Sequence, residues 1–301
     1  QSLTIALAQR ADDEVVARIE TIAPGATVLR LPGLSSRADL AETERADLMR
    51  QMADVDVLVG WAGMDRRYVD AAQKLRWWQL SHAGADALAP GLLGGRFVVT
   101  NARGMSGTAM AEWVLGAVTL FEKGFHQSLR DQAAHRWSFR FVGEARGKTL
   151  GIVGMGSIGR DIAKLGRAYG MRVLASRRSV TGEAEDPDCD ELLGPSGLSR
   201  ILAESDYVVL VVPLIEETQG LIGEAELKQM KPTARLINVA RGPVVDTAAL
   251  LAALQAGTIA GAALDVTDPE PLPADHPLWD QPEVIITPHL SGAMEGYMER
   301  V

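Results

Sequence analysis

A single cysteine, Cys189, stands in 301 residues, so no disulfide can form within the chain. That sparing use fits a reducing compartment, and the cytoplasm is the expected setting. No run of about 18 apolar residues occurs, so no helical membrane span and no membrane partner are expected. No basic leader with an apolar core opens the chain. Positive charge is in short supply: 30 Lys and Arg face 39 Asp and Glu, a net charge of −9. Bulk electrostatics therefore exclude non-specific nucleic-acid binding, and any positive charge that matters must be local. The five histidines are scattered, with no metal-ligand spacing, so no metal site is expected. Low-complexity tracts and internal repeats are absent.

What is present is an α/β pattern. Apolar residues make up 47% of the chain and there are 30 glycines, enough for a buried core and tight turns in two domains. Strand signals over 3–8, 26–31, 56–59, 78–80 and 97–100 alternate with helical spacing, as at Val15, Val16 and Ile19. A long apolar helix is predicted over 107–125, then a helix and loop over 126–148. Further strands follow over 149–153, 171–175, 207–212, 235–239, 259–264 and 284–287. Strands alternating with helices imply mostly parallel sheets. The expected architecture is two Rossmann-like or flavodoxin-like α/β domains with the active site in the cleft between them. One domain spans 1–101 and is completed by 287–301; the other spans 102–286.

The strand at 149–153 runs into Gly154-Met155-Gly156-Ser157-Ile158-Gly159, a G-x-G-x-x-G turn opening a helix. The first glycine permits the tight turn, the second a close backbone approach to a pyrophosphate, and the third helix–strand packing. The helix start offers unpaired N–H groups and partial positive charge, including those of Ser157 and Ile158. At the end of the second strand, where NAD sites usually carry an acid, the chain has Ser176-Arg177-Arg178. Guanidinium groups suit a 2′-phosphate, so NADP(H) is the preferred cofactor and NAD(H) remains possible. Two solvated arginines on a surface turn are the plainer alternative.

Three later strand ends carry polar residues in apolar surroundings: Asn238-Val239-Ala240-Arg241-Gly242, Leu264-Asp265-Val266-Thr267-Asp268-Pro269-Glu270, and Thr287-Pro288-His289-Leu290-Ser291-Gly292. In a doubly wound sheet such positions line the ligand crevice. An Arg, a Glu and a His placed there suit carbonyl reduction. Glu270 as a turn residue and Asp265 as a plain strand-end residue are the simpler readings of those two acids.

With these segments the chain resembles the D-isomer-specific 2-hydroxyacid dehydrogenases. The matching segments are G-M-G-S-I-G, V-V-P-L-I-E-E-T-Q-G-L-I, N-V-A-R-G, A-L-D-V-T-D-P-E-P-L-P and I-T-P-H-L-S-G. The N-terminal third matches more loosely, through S-H-A-G-A-D and N-A-R-G-M. The resemblance implies an oxidoreductase that reduces a small 2-oxo acid to the D-2-hydroxy acid, and a homodimer. Glyoxylate and hydroxypyruvate are the first substrates to consider for the NADP-linked branch. It implies that Arg241 grips the substrate carboxylate, that His289 is the acid/base, and that Glu270 orients the imidazole and favours its protonated form. It implies that backbone N–H groups of Ala83, Gly84 and Ala85 hold the carboxylate. Asp265 would bond the nicotinamide carboxamide, with further cofactor contacts at Val212, Pro213, Thr218, Val239, Ala240, Ser291 and Gly292.

Trp137 could close the substrate pocket, but packing is the expectation for it and for Trp279. Trp61, Met64, Met105 and Ser106 are candidates for setting pocket size. Two departures stand out: relatives continue for a further helix after H-L-S-G, whereas this chain stops at Val301, and Trp113 stands where many relatives carry a histidine. The alternatives are NAD-linked hydroxy-acid oxidation and a non-catalytic, cofactor-sensing protein of the corepressor kind.

Overall fold

In the computed structural model, which describes residues 2–35, 40–88, 92 and 95–301, the chain divides into two compact units. The smaller comprises 1–105 and 295–301; the larger comprises 106–294.

The smaller unit is built from β1 (Thr4–Leu7), α1 (Asp13–Ile22), β2 (Thr27–Arg30), α2 (Glu42–Met52), β3 (Val57–Gly60), α3 (Arg66–Ala71), β4 (Trp77–Leu80) and β5 (Val98–Thr100). Local chemistry sets the helix starts. Asp12 accepts from the Val15 amide at 2.9 Å and Asp65 from the Arg67 amide at 2.9 Å, each satisfying a donor that the first helical turn leaves unpaired. The strands form one parallel sheet in the order β2-β1-β3-β4-β5, a flavodoxin-like sequence. Its core is centred on the buried Trp78, with Leu58, Leu80 and Met52 around it.

The larger unit runs α4 (Gly107–Glu122), α5 (Phe125–Ala133), β6 (Thr149–Val153), α6 (Ser157–Ala168), β7 (Arg172–Ser176), β8 (Glu183–Ala184), β9 (Glu191–Leu193), α7 (Leu198–Glu204), β10 (Tyr207–Leu210), α8 (Glu224–Leu227), β11 (Arg235–Asn238), α9 (Thr247–Gln255), β12 (Gly261–Leu264) and β13 (Val284–Ile286). Every residue of β6, β10 and β12 is buried, as expected of parallel strands covered on both faces. Burying side chains such as Ile152, Ile162 and Val209 stabilises the unit by roughly 2 kcal/mol each. The sheet order is β13-β12-β11-β10-β6-β7-β9-β8. All described pairings in it are parallel except β8 with β9, a short antiparallel edge that the sequence did not reveal.

Chain direction across this sheet reverses between β6 and β10. From β6 the chain builds outward through β7, then returns to the other side of β6 at β10 and builds outward to β13. Such a reversal opens a crevice at the carboxyl ends of the two strands.

Both boundaries differ from the sequence expectation: the first falls after Met105 rather than after residue 101, and the second after Met294 rather than after residue 286. Residues 287–294 belong to the larger unit, not to the smaller. The reason is a set of hydrogen bonds: the amides of His289, Leu290 and Ser291 all donate to Asp265. Only 295–301 joins the smaller unit. There the Tyr297 hydroxyl donates to the Ser81 carbonyl at 2.6 Å.

Candidate active site

Ladder register aligns six strand ends in one row: Ser176, Val153, Leu210, Asn238, Leu264 and Ile286. The larger unit's cofactor and catalytic candidates lie at this row, on the loops that leave it or at the start of α6.

The glycine turn follows Val153. Gly154 has φ +116°, and a Cβ there would meet the Val211 carbonyl oxygen at 2.8 Å. A Cβ on Gly159 would meet the Gly154 carbonyl oxygen at 2.4 Å. Side chains are thus excluded by the turn itself at both positions. Gly156 is different: a Cβ there would enter open space. It caps α6 without a side-chain hydrogen bond, so the amides of the first turn stay open to an anion. These features fit a dinucleotide pyrophosphate. Ile158 packs against the core, which leaves its backbone as the means of contact.

The turn is tied to the β7 end, because the amides of Gly154 and Met155 donate to the Ser176 carbonyl at 3.2 and 2.7 Å. Ser176 is buried, whereas Arg177 and Arg178 are exposed. Neither guanidinium has an ion-pair partner within 4.0 Å among the described residues. After β10, Val212 approaches Gly154, and Pro213 begins a loop closed by Thr218, whose hydroxyl lies 2.6 Å from the Pro213 carbonyl.

Beyond β11, Val239 and Ala240 are core residues and Arg241 is partly buried. Asn238 shapes this loop. Its amide nitrogen donates to the Arg241 carbonyl at 3.0 Å, and its oxygen accepts from the Ala240 amide at 3.0 Å. Arg241 donates to the Ala240 carbonyl at 2.7 Å. A Cβ on Gly242 would lie 1.9 Å from the Thr267 carbonyl oxygen, so this loop packs directly on the next one.

Asp265, just past β12, organises the histidine loop. It is buried, and its carboxylate accepts from the Thr287 hydroxyl at 2.6 Å and from the Leu290 and Ser291 amides at 2.8 and 2.9 Å. Three donors offset the cost of burying the charge. Its own carbonyl accepts from the His289 amide at 2.8 Å. These bonds hold His289 at φ +53°, a left-handed conformation uncommon for a residue with a side chain. The positioning role of Asp265 escaped the sequence; the hint was an acid at one strand end beside a T-P-H turn at the next. Glu270 Oε1 lies 2.9 Å from His289 Nδ1, and the imidazole is 44% exposed. With Nδ1 engaged by Glu270, Nε2 is the ring nitrogen left to exchange a proton with a ligand. Gly292 sits near Ser106 and Met110.

Ala83, Gly84 and Ala85 belong to the smaller unit and follow β4. The Ala83 carbonyl accepts from Asn101 at 2.7 Å, and no described backbone carbonyl takes the amides of these three residues. Trp137 does not pack within its own chain as expected. It is 100% exposed, beside Phe139 and Phe141 at 83% and 94%, because the segment after α5 carries its aromatic rings away from the core. Trp279 is about half exposed, with its indole N–H on the Pro273 carbonyl at 2.8 Å. Trp113 packs against the core of the larger unit. Among the described residues no His, Cys, Asp and Glu group of three or more is placed to hold a metal, and no helix is long and apolar enough to cross a membrane.

Residues 115–291 match the model of the D-isomer specific 2-hydroxyacid dehydrogenase NAD binding domain. The chain is 38% identical over 281 residues to a glyoxylate reductase of Thermococcus kodakarensis, covering 86% of this chain and 82% of that one. A D-isomer specific 2-hydroxyacid dehydrogenase family protein of Aeromonas salmonicida has a similar structure, with TM-score 0.85 and 32% identity over 97% of this chain and 90% of that one. An NADPH-dependent glyoxylate/hydroxypyruvate reductase of Sinorhizobium meliloti, solved with NADP and sulfate, aligns with TM-score 0.79 and 27% identity over 100% and 92% of the two chains. The fold, the glycine turn and the histidine loop thus converge with these likenesses: the chain is an NAD(P)-dependent oxidoreductase and belongs to the D-isomer specific 2-hydroxyacid dehydrogenases.

Proposed function

We propose that this enzyme reduces a small 2-oxo acid, of the glyoxylate or hydroxypyruvate class, to the D-2-hydroxy acid with NADPH, and that His289 supplies the proton. The observation that carries the proposal is the 2.9 Å contact between Glu270 and His289 Nδ1 on a loop fixed by Asp265.

A nicotinamide dinucleotide, when bound, supplies the hydride. The first-turn amides of α6 hold its pyrophosphate, and Arg177 and Arg178 hold the 2′-phosphate. Asp265 keeps lone pairs beyond its three donors for the carboxamide. Arg241 binds the substrate carboxylate through its planar, permanently charged guanidinium and polarises the 2-oxo group. The amides of Ala83, Gly84 and Ala85, which no described backbone carbonyl takes, suit a carboxylate group as well. His289 Nε2 donates a proton to the carbonyl oxygen during reduction and accepts it in the reverse direction. Glu270 stabilises the imidazolium and fixes the ring.

The relatives named glyoxylate reductase support the substrate class, and the relative named NADPH-dependent supports the cofactor. In this reading the smaller unit binds substrate, with its boundary at Met105 and a return at Glu295. The exposed rings of Trp137, Phe139 and Phe141 favour a homodimer, since a second copy would remove them from water. The buried lone cysteine suits the cytoplasm.

A panel of 2-oxo acids assayed with NADPH and with NADH tests the whole reading. Steady oxidation of NADPH by glyoxylate or hydroxypyruvate, faster than that of NADH, is the expected result. Cofactor binding without turnover on any 2-oxo acid would instead favour a sensing protein.

A further inference from the structure

The loop that carries Arg177 and Arg178 runs on through β8 into an acidic stretch, Asp186, Asp188 and Asp190, before β9. Carboxylates so close in sequence to a phosphate-binding arginine pair work against it: they repel the phosphate and compete for the guanidinium groups. Asp190 is committed elsewhere, because its carboxylate accepts from the Val173 amide at 2.7 Å. Asp186 and Asp188 are not tied into the sheet in this way.

Arg160 takes them both. It is the fourth residue of α6, directly after the glycine turn. Its guanidinium donates to Asp186 Oδ1 at 2.9 Å, Asp186 Oδ2 at 2.6 Å and Asp188 Oδ2 at 2.9 Å. Asp186 is nearly buried, with a side chain 6% exposed, so the pairing is shielded from salt. The Asp186 carboxyl is held below the usual carboxylate range, first by the Arg160 hydrogen bond and to a smaller degree by the charge of Arg177. Arg160 and Arg177 therefore act on the same carboxylate.

We propose that Arg160 is a positioning residue for NADPH selectivity: it engages Asp186 and Asp188 and offsets part of their charge, leaves Arg177 and Arg178 to the 2′-phosphate, and ties their loop to the first turn of α6. The inference rests on the NADPH reading above. A 2′-phosphate carries close to two negative charges where NADH has a neutral hydroxyl. Unmasking two carboxylates therefore weakens NADPH and spares NADH.

The test is fluorescence titration of NADPH and of NADH into the full chain. Selectivity is read as the ratio of the two Kd values in each variant relative to the wild type. R160Q is expected to lower NADPH selectivity by about tenfold. R160K, which keeps the charge, should recover most of it. The triple variant R160Q/D186N/D188N should return to within about twofold of the wild type, since the unmasked charge is gone.

Equal weakening of both cofactors in R160Q, or a triple variant no better than R160Q, would overturn the proposal and leave Arg160 a structural clamp. Should R160Q fail to fold, D186N/D188N carries the same test with opposite sign: selectivity must rise toward NADPH, and no rise overturns it. A wild-type chain that does not prefer NADPH would count against the cofactor reading alone, because the variants are scored against the wild type.

Discussion

Two regions of the larger sheet handle their polar groups in opposite ways. Past β12 and β13 the groups are satisfied from within: Asp265 takes three side-chain hydrogen bonds, and Glu270 holds the His289 ring. Past β7, Arg177 and Arg178 stand exposed with no ion-pair partner among the described residues. A group that exchanges a proton with a reacting atom must be placed to within a fraction of an ångström, whereas a guanidinium that recognises a phosphate needs charge and reach. Changes in the first region should therefore damage turnover, and changes in the second should damage the affinity for one cofactor.

The comparison can be broken in five places, from the largest effect to the smallest. His289→Ala should lower kcat by roughly two to four powers of ten while leaving the NADPH Kd within about twofold; a comparable loss of cofactor binding would show that the loop, not the proton donor, had been lost. Asp265→Asn should lower both kcat and stability, the latter by about 1.5–3 kcal/mol for one charged hydrogen bond. Chemical denaturation beside a turnover assay would expose a purely cofactor-binding role if stability held. Arg177→Gln and Arg178→Gln should each raise the NADPH Kd by roughly ten- to a hundredfold with little change for NADH. Equal losses for the two cofactors would erase the distinction between the regions.

Glu270→Gln should lower kcat by about tenfold, because the imidazole loses the carboxylate that orients it. An unchanged kcat removes Glu270 from that role. The smallest effect concerns Cys189, a buried thiol between Asp188 and Asp190. Burial pushes its thiol up from 9.0 to about 11. The neutral form is the one favoured by folding, so its contribution to stability is complete below about 9 and is lost as pH rises toward 11. At pH 8 a thiol reagent should label the unfolded chain quickly and the native chain only slowly; fast native labelling would contradict the burial.

Much of this was legible in the sequence, for reasons that can be named. Strands such as β6 and β10 are continuous apolar runs, which is how doubly covered parallel strands read. The glycine turn is dictated by sterics that only one residue type satisfies. Illegible features depended on partners that carry no residue-type signal. Asp265 acts on backbone amides 25 and 26 residues away, and any sequence supplies amides. The β8–β9 edge consists of two- and three-residue strands, too short for a pattern. Trp137 looks like a core residue by composition, and its exposure follows from where the segment after α5 leads. The terminal segment extends differently from the sequence expectation because most of the bonds that hold 287–294 to the larger unit are donated by backbone amides.

The smaller unit is discontinuous in the chain, with its last piece beyond Met294. On the ribosome its sheet is made before the larger unit, but the residue that clasps the Ser81 carbonyl, Tyr297, is made after it. At ordinary synthesis rates the whole larger unit must be translated in between, a delay of roughly ten to forty seconds. The nascent strand end at Ser81 thus waits unfastened until the larger unit has been translated, and a chain cut before Tyr297 would be released with that clasp missing.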